Sequence, residues 1–489
     1  MPRRLTLVLS ALILIGARPD LPVTDVVDYS GWWTQFGGGV GGRKPRSVIT
    51  QQNVHELNIA WQTALPEPSD GSPVYVSGVE TRRGTLDLLV VNTTTGRLVA
   101  FNANNGALVW QTTPPEGPRW TTSSPAVDPT GTFVFGYSLD GYVHRYELAT
   151  GQEAVGNGFP ALITLKGDVE KGSSNITIAT ARNRRTFLYM TIAAYPDPGD
   201  DGDYQGHLVT VDINSGEHHV FNALCSDADM HFALGDCYAQ QAGIWARAGA
   251  VYDPVTDRVF VTTGNGPNTA LDGGHDWGSS VVALRPDGTT DRGEPLDSYT
   301  PENFQELTDE DLDLSSTGIE PLPHVHKNWP RLGVQSGKDG RLRLLNLENL
   351  SGAGGPAHIG GELQILDLPQ GDEVLTQPQA WLDGRKTWVF IADNRGIAAI
   401  ELVASEDGDP QLVLRWKSDL GGTTPVIVNC VLYLAAPHRL VALRPTTGAV
   451  LWKDNTIGDI HWQSPIIVNN MVYLSENAGY VTAYSLPRQ

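Results

Sequence analysis

Two acidic runs hold the densest concentration of chemically useful oxygen in this chain. One extends from Asp197 to Asp203 (DPGDDGD) and the other from Glu306 to Asp313 (ELTDEDLD). Several carboxylates beside glycines suit a hard cation such as calcium. The alternative is ordinary solvated loop acidity, and the spacing alone leaves both readings open. Gly264-Asn265-Gly266 offers an amide oxygen at a position that is equally an ordinary hairpin turn. Lys338, before Asp339 and Gly340, is either an exposed turn residue or a cation aimed at a ligand. His324 and His326 put two imidazoles on one strand face, but no third metal ligand accompanies them. The nucleophile elbow of α/β-hydrolases and the phosphate-binding glycine fingerprints are missing, which disfavours serine hydrolysis and nucleotide use.

Residues so far apart in sequence need a fold that gathers them, and internal repetition supplies one. Eight times the chain reads roughly G-x-[LV]-x-A-[LFY]-x-x-x-x-G-x-x-x-W, most clearly at Gly96–Trp110 and Arg439–Trp452. Fainter copies centre on 141–151, 206–216, 279–288, 340–350, 396–416 and 479–486. Short strands recurring at about 40 residues or more indicate a β-propeller. Within one copy, Leu98 to Phe101 is apolar on both faces, as a blade between two neighbours requires. The closing Trp110, Trp416 and Trp452 are expected to cover the gap to the next blade, each indole N–H finding a backbone acceptor. No sustained helical period interrupts the pattern, so the class is all-β: an eight-bladed propeller of four-stranded antiparallel blades.

The domain reading is a leader over 1–17, an N-terminal extension over 18–46, and a single propeller over 47–489. Long insertions are expected at about 196–206, 222–244, 266–278 and 291–330. Arg3 and Arg4 precede the apolar stretch Leu5 to Gly16, which reads as a secretory signal peptide and predicts a secreted or periplasmic protein. That stretch is too short for a comfortable membrane span. Cys225 and Cys237 flank a loop that could close as a disulfide in an oxidising compartment, or remain two separate thiols. Cys430, within the apolar run Pro425 to Leu434, is expected to be a buried core residue. A net charge of −21 argues against nucleic acid and against anionic membrane surfaces as partners.

The repeats resemble those of the pyrroloquinoline quinone (PQQ) propellers, the quinoprotein alcohol dehydrogenase-like superfamily. The opening segment Trp32-Trp33-Thr34-Gln35-Phe36 and the later Asn53 to Trp61 are similar to that family's N-terminal pattern. The resemblance implies that the early strand joins the last blade, with Leu57 to Trp61 pairing near Val472 to Leu474. It further implies a quinone over calcium or a lanthanide in the central funnel. Asn265 falls on a metal-ligand asparagine and Asp201 on the metal-binding glutamate. Lys338 falls on the basic group beside the quinone. Asp311 or Asp313 falls on the catalytic base, with Asp311 also a candidate ligand. Trp245, Arg247, Trp120 and Trp462 are the candidate residues against the ring, and for Trp120 and Trp462 blade packing is the competing role.

The chain departs from the family pattern in four places. The paired cysteines are absent from Arg119–Pro125, and Arg247 stands where the stacking tryptophan is expected, with Trp245 two residues earlier. Leu312 replaces the tryptophan before the catalytic aspartate, and Gln205 replaces an arginine. Two functions follow from the resemblance. One is an exported oxidoreductase acting on an alcohol or sugar hydroxyl and passing electrons to a separate carrier such as a cytochrome c. The other is a non-catalytic propeller serving as a protein- or ligand-binding or assembly scaffold.

Overall fold

The computed structural model describes residues 31–38, 47–117, 119–195, 203–228, 237, 241–323 and 326–487. Eight antiparallel sheets follow one another around an axis, seven of four strands and the third of five. Blade one is Val74–Thr81, Gly84–Asn92, Leu98–Asn102 and Leu108–Gln111, from the axis outward. All eight sequence copies fall on the third strand of a blade, from Leu98–Asn102 in the first to Tyr480–Ser485 in the eighth. Period-two alternation explains their double apolarity. Val99 and Phe101 enter the core shared with blade eight, whereas Leu98 and Ala100 enter the core shared with blade two. Each large apolar side chain so buried contributes roughly 2 kcal/mol.

The closing tryptophans dock on the following blade. Trp110 Nε1 donates to the Leu148 carbonyl at 2.9 Å, Trp416 Nε1 to Pro445 at 2.8 Å, and Trp452 Nε1 to Leu57 at 3.1 Å. Trp61 repeats the device on Ala103 at 2.9 Å. The rings of Trp61, Trp110 and Trp416 each lie on a turn glycine of the next blade, Gly106, Gly151 and Gly448. At Gly151, with φ near +70°, a Cβ would come within 2.6 Å of Trp110 Cε3. The repeat's second glycine therefore serves two needs, a left-handed turn and room for an indole.

Asn58–Ala64 joins the last blade and closes the ring, as the resemblance implies; its antiparallel partner is Tyr480–Ser485, the strand next to Val472 to Leu474. The reason lies in the sheet order. Met471–Glu476 already has a strand on each edge, and Tyr480–Ser485 offers the outer free edge. Cys430 departs from expectation, since it is exposed. The run Pro425 to Leu434 is two strands, Val426–Val428 and Val431–Ala436, joined by Asn429 and Cys430 at φ of 51° and 62°. Both turn residues are left-handed, as a two-residue type I′ hairpin demands, and this directs Cys430 outward.

Innermost strands begin at one mouth of the axis and end at the other. Their lead-in segments are tied around the ring by side chains that accept from the backbone of the preceding blade. Ser464 N donates to Ser72 Oγ at 2.9 Å, Ser72 N to Ser124 Oγ at 2.7 Å, and Ser124 N to Asn175 Oδ1 at 3.0 Å. At the far mouth residues 33–37 cross the axis. Trp33 exchanges backbone hydrogen bonds with Tyr75, Val127 N donates to the Thr34 carbonyl, and Ile178 N donates to Gln35 Oε1, all at 2.8 Å. A cavity of about 350 Å³ lies behind this strap. Cys225 and Cys237 form a disulfide with Cα atoms 5.9 Å apart, and no helix among the described residues is long and apolar enough to cross a membrane.

Candidate functional site

The segment between blades four and five forms a short helix, Phe304–Asp309, and then presents Asp311, Leu312 and Asp313. Leu312 packs against the core of Leu307, Leu314 and Tyr299, which turns the flanking acids apart. The Asp311 side chain is 81 % exposed and that of Asp313 only 16 %. Asp313 Oδ1 accepts from the Asn265 backbone N–H at 3.0 Å. Its close approach to that hairpin depends on Gly264, where a Cβ would lie 2.4 Å from Asp313 Oδ1.

Lys338 arrives from the hairpin between Leu332–Gln335 and Arg341–Asn346. Its Nζ lies 3.0 Å from Asp313 Oδ2 and 3.2 Å from Asp311 Oδ2. Burial pushes the ammonium down, but the charges of Asp313 and Asp311 outweigh it and the Lys338 pKa ends above its ordinary value. Asn265 Nδ2 donates to Asp311 Oδ1 at 2.9 Å, and this orients the amide so that the buried Asn265 Oδ1 has no partner among the described residues.

Aromatic rings stand beside this polar group. The Lys338 ammonium is 5.8 Å from the centre of the Trp245 ring, and Trp245 meets Trp462 edge-on at 6.5 Å. The Arg247 guanidinium lies 5.6 Å from the Trp462 ring. It is buried and donates to Ser173 O at 2.6 Å, Thr122 O at 2.8 Å and Thr122 Oγ1 at 3.2 Å. Trp120 stacks edge-on against Tyr195 at 5.1 Å, with Lys171 Nζ 5.6 Å from the Trp120 ring. His461, 4.5 Å from Trp462, has its Nδ1 2.8 Å from Asp70 Oδ2.

Asp311, Asp313, Asn265, Lys338, Trp245, Trp462 and Arg247 therefore form one chain of neighbours around the mouth where innermost strands begin, and Arg247 holds Thr122, two residues after Trp120. Asp201 and His324 lie outside the described residues, and the His326 ring stacks on Trp329 at 3.9 Å, away from this mouth. Among the described residues no three His, Cys, Asp or Glu side chains converge as a metal cluster. The oxygen donors on hand are two carboxylates and the Asn265 amide, a set suited to a hard cation.

Sequence reasoning missed Asp70, Lys171, Tyr195 and His461. Asp70 had a usable signal. It stands three residues before Pro73, the offset that Trp462 holds from Pro465 and Thr122 from Pro125. That repeated step into the innermost strand marks the axial lining. Lys171 lacks it, because blade three has Ile176 in the proline place and Lys171 stands five residues before it.

Eight antiparallel blades with polar residues gathered at one axial mouth define a PQQ-type β-propeller. A family profile described as "PQQ: Glucose/ethanol/alcohol dehydrogenase, beta-propeller domain" matches residues 33–290, just over half of the chain. The chain belongs to that family. The dehydrogenase subunit of a quinone alcohol dehydrogenase from Komagataeibacter europaeus is 22 % identical over 344 residues, which span 62 % of this chain. The match spans only 44 % of that relative's length. Among solved structures, a quinohemoprotein alcohol dehydrogenase from Pseudomonas putida HK5 superposes with a TM-score of 0.62 at 14 % identity, covering 94 % of this chain and 82 % of its own. BamB from Moraxella catarrhalis gives 0.52 at 14 % identity, covering 88 % of this chain and 98 % of its own. At such identities the likeness is one of fold.

Proposed function

We propose that the chain is an exported quinoprotein-type oxidoreductase that oxidises an alcohol or sugar hydroxyl with PQQ and a bound hard cation, and hands the electrons to a separate acceptor such as a cytochrome c. The observation that carries this reading is the convergence of Asp313, Lys338 and Asn265 beside the Trp245 ring. The residues fit the group. A flat, anionic quinone needs aromatic walls and positive charge, which Trp245, Trp462, Trp120, Lys338 and Arg247 provide. A calcium or lanthanide ion needs oxygen, and the unpartnered Asn265 Oδ1 and the carboxylate of Asp311 supply it, with Asp201 assigned by resemblance alone.

When bound, the quinone supplies the two-electron acceptor and the cation supplies polarising charge. The chain's own part is positioning and proton transfer. Asp313 takes the proton from the substrate hydroxyl, held in place by the Asn265 N–H on one oxygen and the Lys338 ammonium on the other. Asp311, at the exposed rim, fixes the Asn265 amide and shares the Lys338 charge. Lys338 keeps a positive charge at the place where negative charge develops.

A second reading, an assembly or binding scaffold, draws on the missing cysteine pair at 119–125 and on Arg247 standing in the stacking position. Dye-linked oxidation of a panel of alcohols and sugars, with added PQQ and Ca²⁺, separates the two. Turnover that is lost in Asp313→Asn supports the enzyme, and no turnover on any of them supports the scaffold. Export rests on the leader-like residues 1–17 and on the disulfide, which suits an oxidising compartment.

A further inference from the structure

Acid–base groups at the axial mouth are not confined to Asp313. His461 comes from the lead-in to the innermost strand of the last blade, and Asp70 from the corresponding lead-in of the first. The His461 Nδ1 lies 2.8 Å from Asp70 Oδ2, so the pair spans the boundary between the two blades. Asp70 is buried, whereas the His461 side chain is 56 % exposed. A carboxylate accepts and does not donate, so Nδ1 carries the hydrogen and Nε2 keeps its lone pair. Among the described residues Nε2 has no hydrogen-bond partner. The frame is rigid on both sides. The buried Gln463 accepts on Oε1 from the backbone N–H of His461 at 2.7 Å and of Trp462 at 3.1 Å, while its Nε2 donates to the Ser69 carbonyl. One amide thus fixes the imidazole's backbone to the residue before Asp70. A cavity of about 320 Å³ opens beside His461, with Thr376, Thr423, Asp393 and Glu373 in its lining. Water in so polar a cavity links the free nitrogen to the bulk.

We propose that His461, oriented by Asp70, is a second proton carrier of the mouth: its Nε2 takes up the proton that Asp313 does not, and passes it to water in the cavity. This deepens the oxidoreductase reading and rests on it. Oxidising a hydroxyl-bearing carbon to a carbonyl breaks one O–H and one C–H bond, and releases two protons and two electrons. The hydroxyl proton goes to Asp313, and the other leaves the carbon with the electron pair. A carrier such as a cytochrome c takes electrons and no proton, so the second proton is set free at the mouth. Asp313 is poorly placed to collect it. Both of its oxygens are held, by the Asn265 N–H and the Lys338 ammonium, and its side chain is only 16 % exposed. His461 ends the row that Lys338 begins. Lys338 to Trp245, Trp245 to Trp462 and Trp462 to His461 are steps of 5.8, 6.5 and 4.5 Å. Asp70 is a positioning residue in this scheme, since it fixes which nitrogen is free.

The test uses the full chain and has two readouts. The first needs no cofactor: ¹⁵N spectra of the histidine-labelled chain, with the His461 signals assigned by their loss in His461→Asn. The uncharged ring is expected as the Nδ1–H tautomer, the reverse of the form that a free histidine side chain prefers. An Nε2–H tautomer overturns the assignment, whatever the activity. The second readout is steady-state turnover with PQQ, Ca²⁺ and a dye acceptor. In His461→Asn the amide Nδ2 stands where Nδ1 stood, so the tie to Asp70 is kept and only the base is lost. This variant should melt with wild type and lose about tenfold or more in kcat with KM little changed, and added imidazole should restore much of the loss. Turnover in wild type that is matched by His461→Asn overturns the second carrier and leaves the oxidoreductase reading intact. A clear drop in melting temperature, with a loss of rate that imidazole does not restore, makes the pair a structural tie and contradicts the assignment. Absence of turnover in wild type removes the oxidoreductase reading and the second carrier with it.

Discussion

Lys338 holds Asp313 at two points: its ammonium lies 3.0 Å from Asp313 Oδ2, and its backbone N–H donates to the Asp313 carbonyl at 3.1 Å. The proposed base and its neighbouring cation are therefore set by one hairpin of blade five against one loop leaving blade four. Neither residue can shift alone. Lys338→Ala is expected to cost about 100-fold or more in turnover through misplacement of Asp313, while Lys338→Arg retains measurable activity. Steady-state rates with a dye acceptor decide this, and equal rates in Lys338→Ala and wild type would contradict it.

Gly264 offers a sharper probe, since it touches the proposed base, Asp313, without carrying chemistry. A Cβ there would stand 2.4 Å from Asp313 Oδ1 and 2.7 Å from Ser315 Oγ. Gly264→Ala should destabilise the fold by only about 1–3 kcal/mol, as overpacking does, yet abolish most activity because Asp313 must move. Paired urea melts and rate measurements read both numbers. A large stability loss with a proportionate loss of rate would mean that the contact is structural.

The eight copies could be read from sequence because each obeys a local rule, apolar alternation on the third strand, to which several add a glycine under an indole. The Trp110–Gly151 dock tests that rule. Trp110→Ala should cost about 3–5 kcal/mol, the loss usual for a buried large aromatic. Gly151→Ala, with a Cβ 2.6 Å from the same ring, should be clearly destabilising in wild type and less so when Trp110 is already alanine. Strictly additive effects in denaturant melts would contradict direct docking.

The site was legible only in part. Asp313, Asn265 and Lys338 could be marked because each follows a turn or motif with its own signature. Lys171 could not, since nothing in Glu170-Lys171-Gly172 signals that the chain turns its ammonium towards Trp120 and Tyr195. Cys430 was misplaced for the converse reason. An apolar run hid a two-residue turn whose left-handed Asn429 and Cys430 have no glycine to announce them.

Lys171 also makes a prediction about pH. Burial lowers its pKa from 10.5 to about 8, with Asp70 opposing and Arg247 reinforcing the shift. Below pH 8 the folded protein carries the charge at a cost of roughly 3 kcal/mol. Between pH 8 and 10.5 the unfolded chain binds the extra proton, so this contribution to stability rises with pH. Lys171→Met should therefore be more stable than wild type at pH 7, with the advantage shrinking towards pH 10. An advantage that urea melts show to be independent of pH would contradict this.

Reducing the Cys225–Cys237 bridge tests a local staple. By loop length, a crosslink of 12 residues contributes about 3 kcal/mol at most. Reductant should lower the melting temperature modestly and leave the axial mouth able to bind.

The most direct test of the central claim is a calorimetric titration of the full chain with PQQ, in Ca²⁺ and in chelator. The account predicts saturation at one quinone per chain, weaker in chelator and weaker again in Asn265→Ala. Absence of heat, or binding indifferent both to Ca²⁺ and to Asn265, would contradict a funnel built for a quinone over a cation.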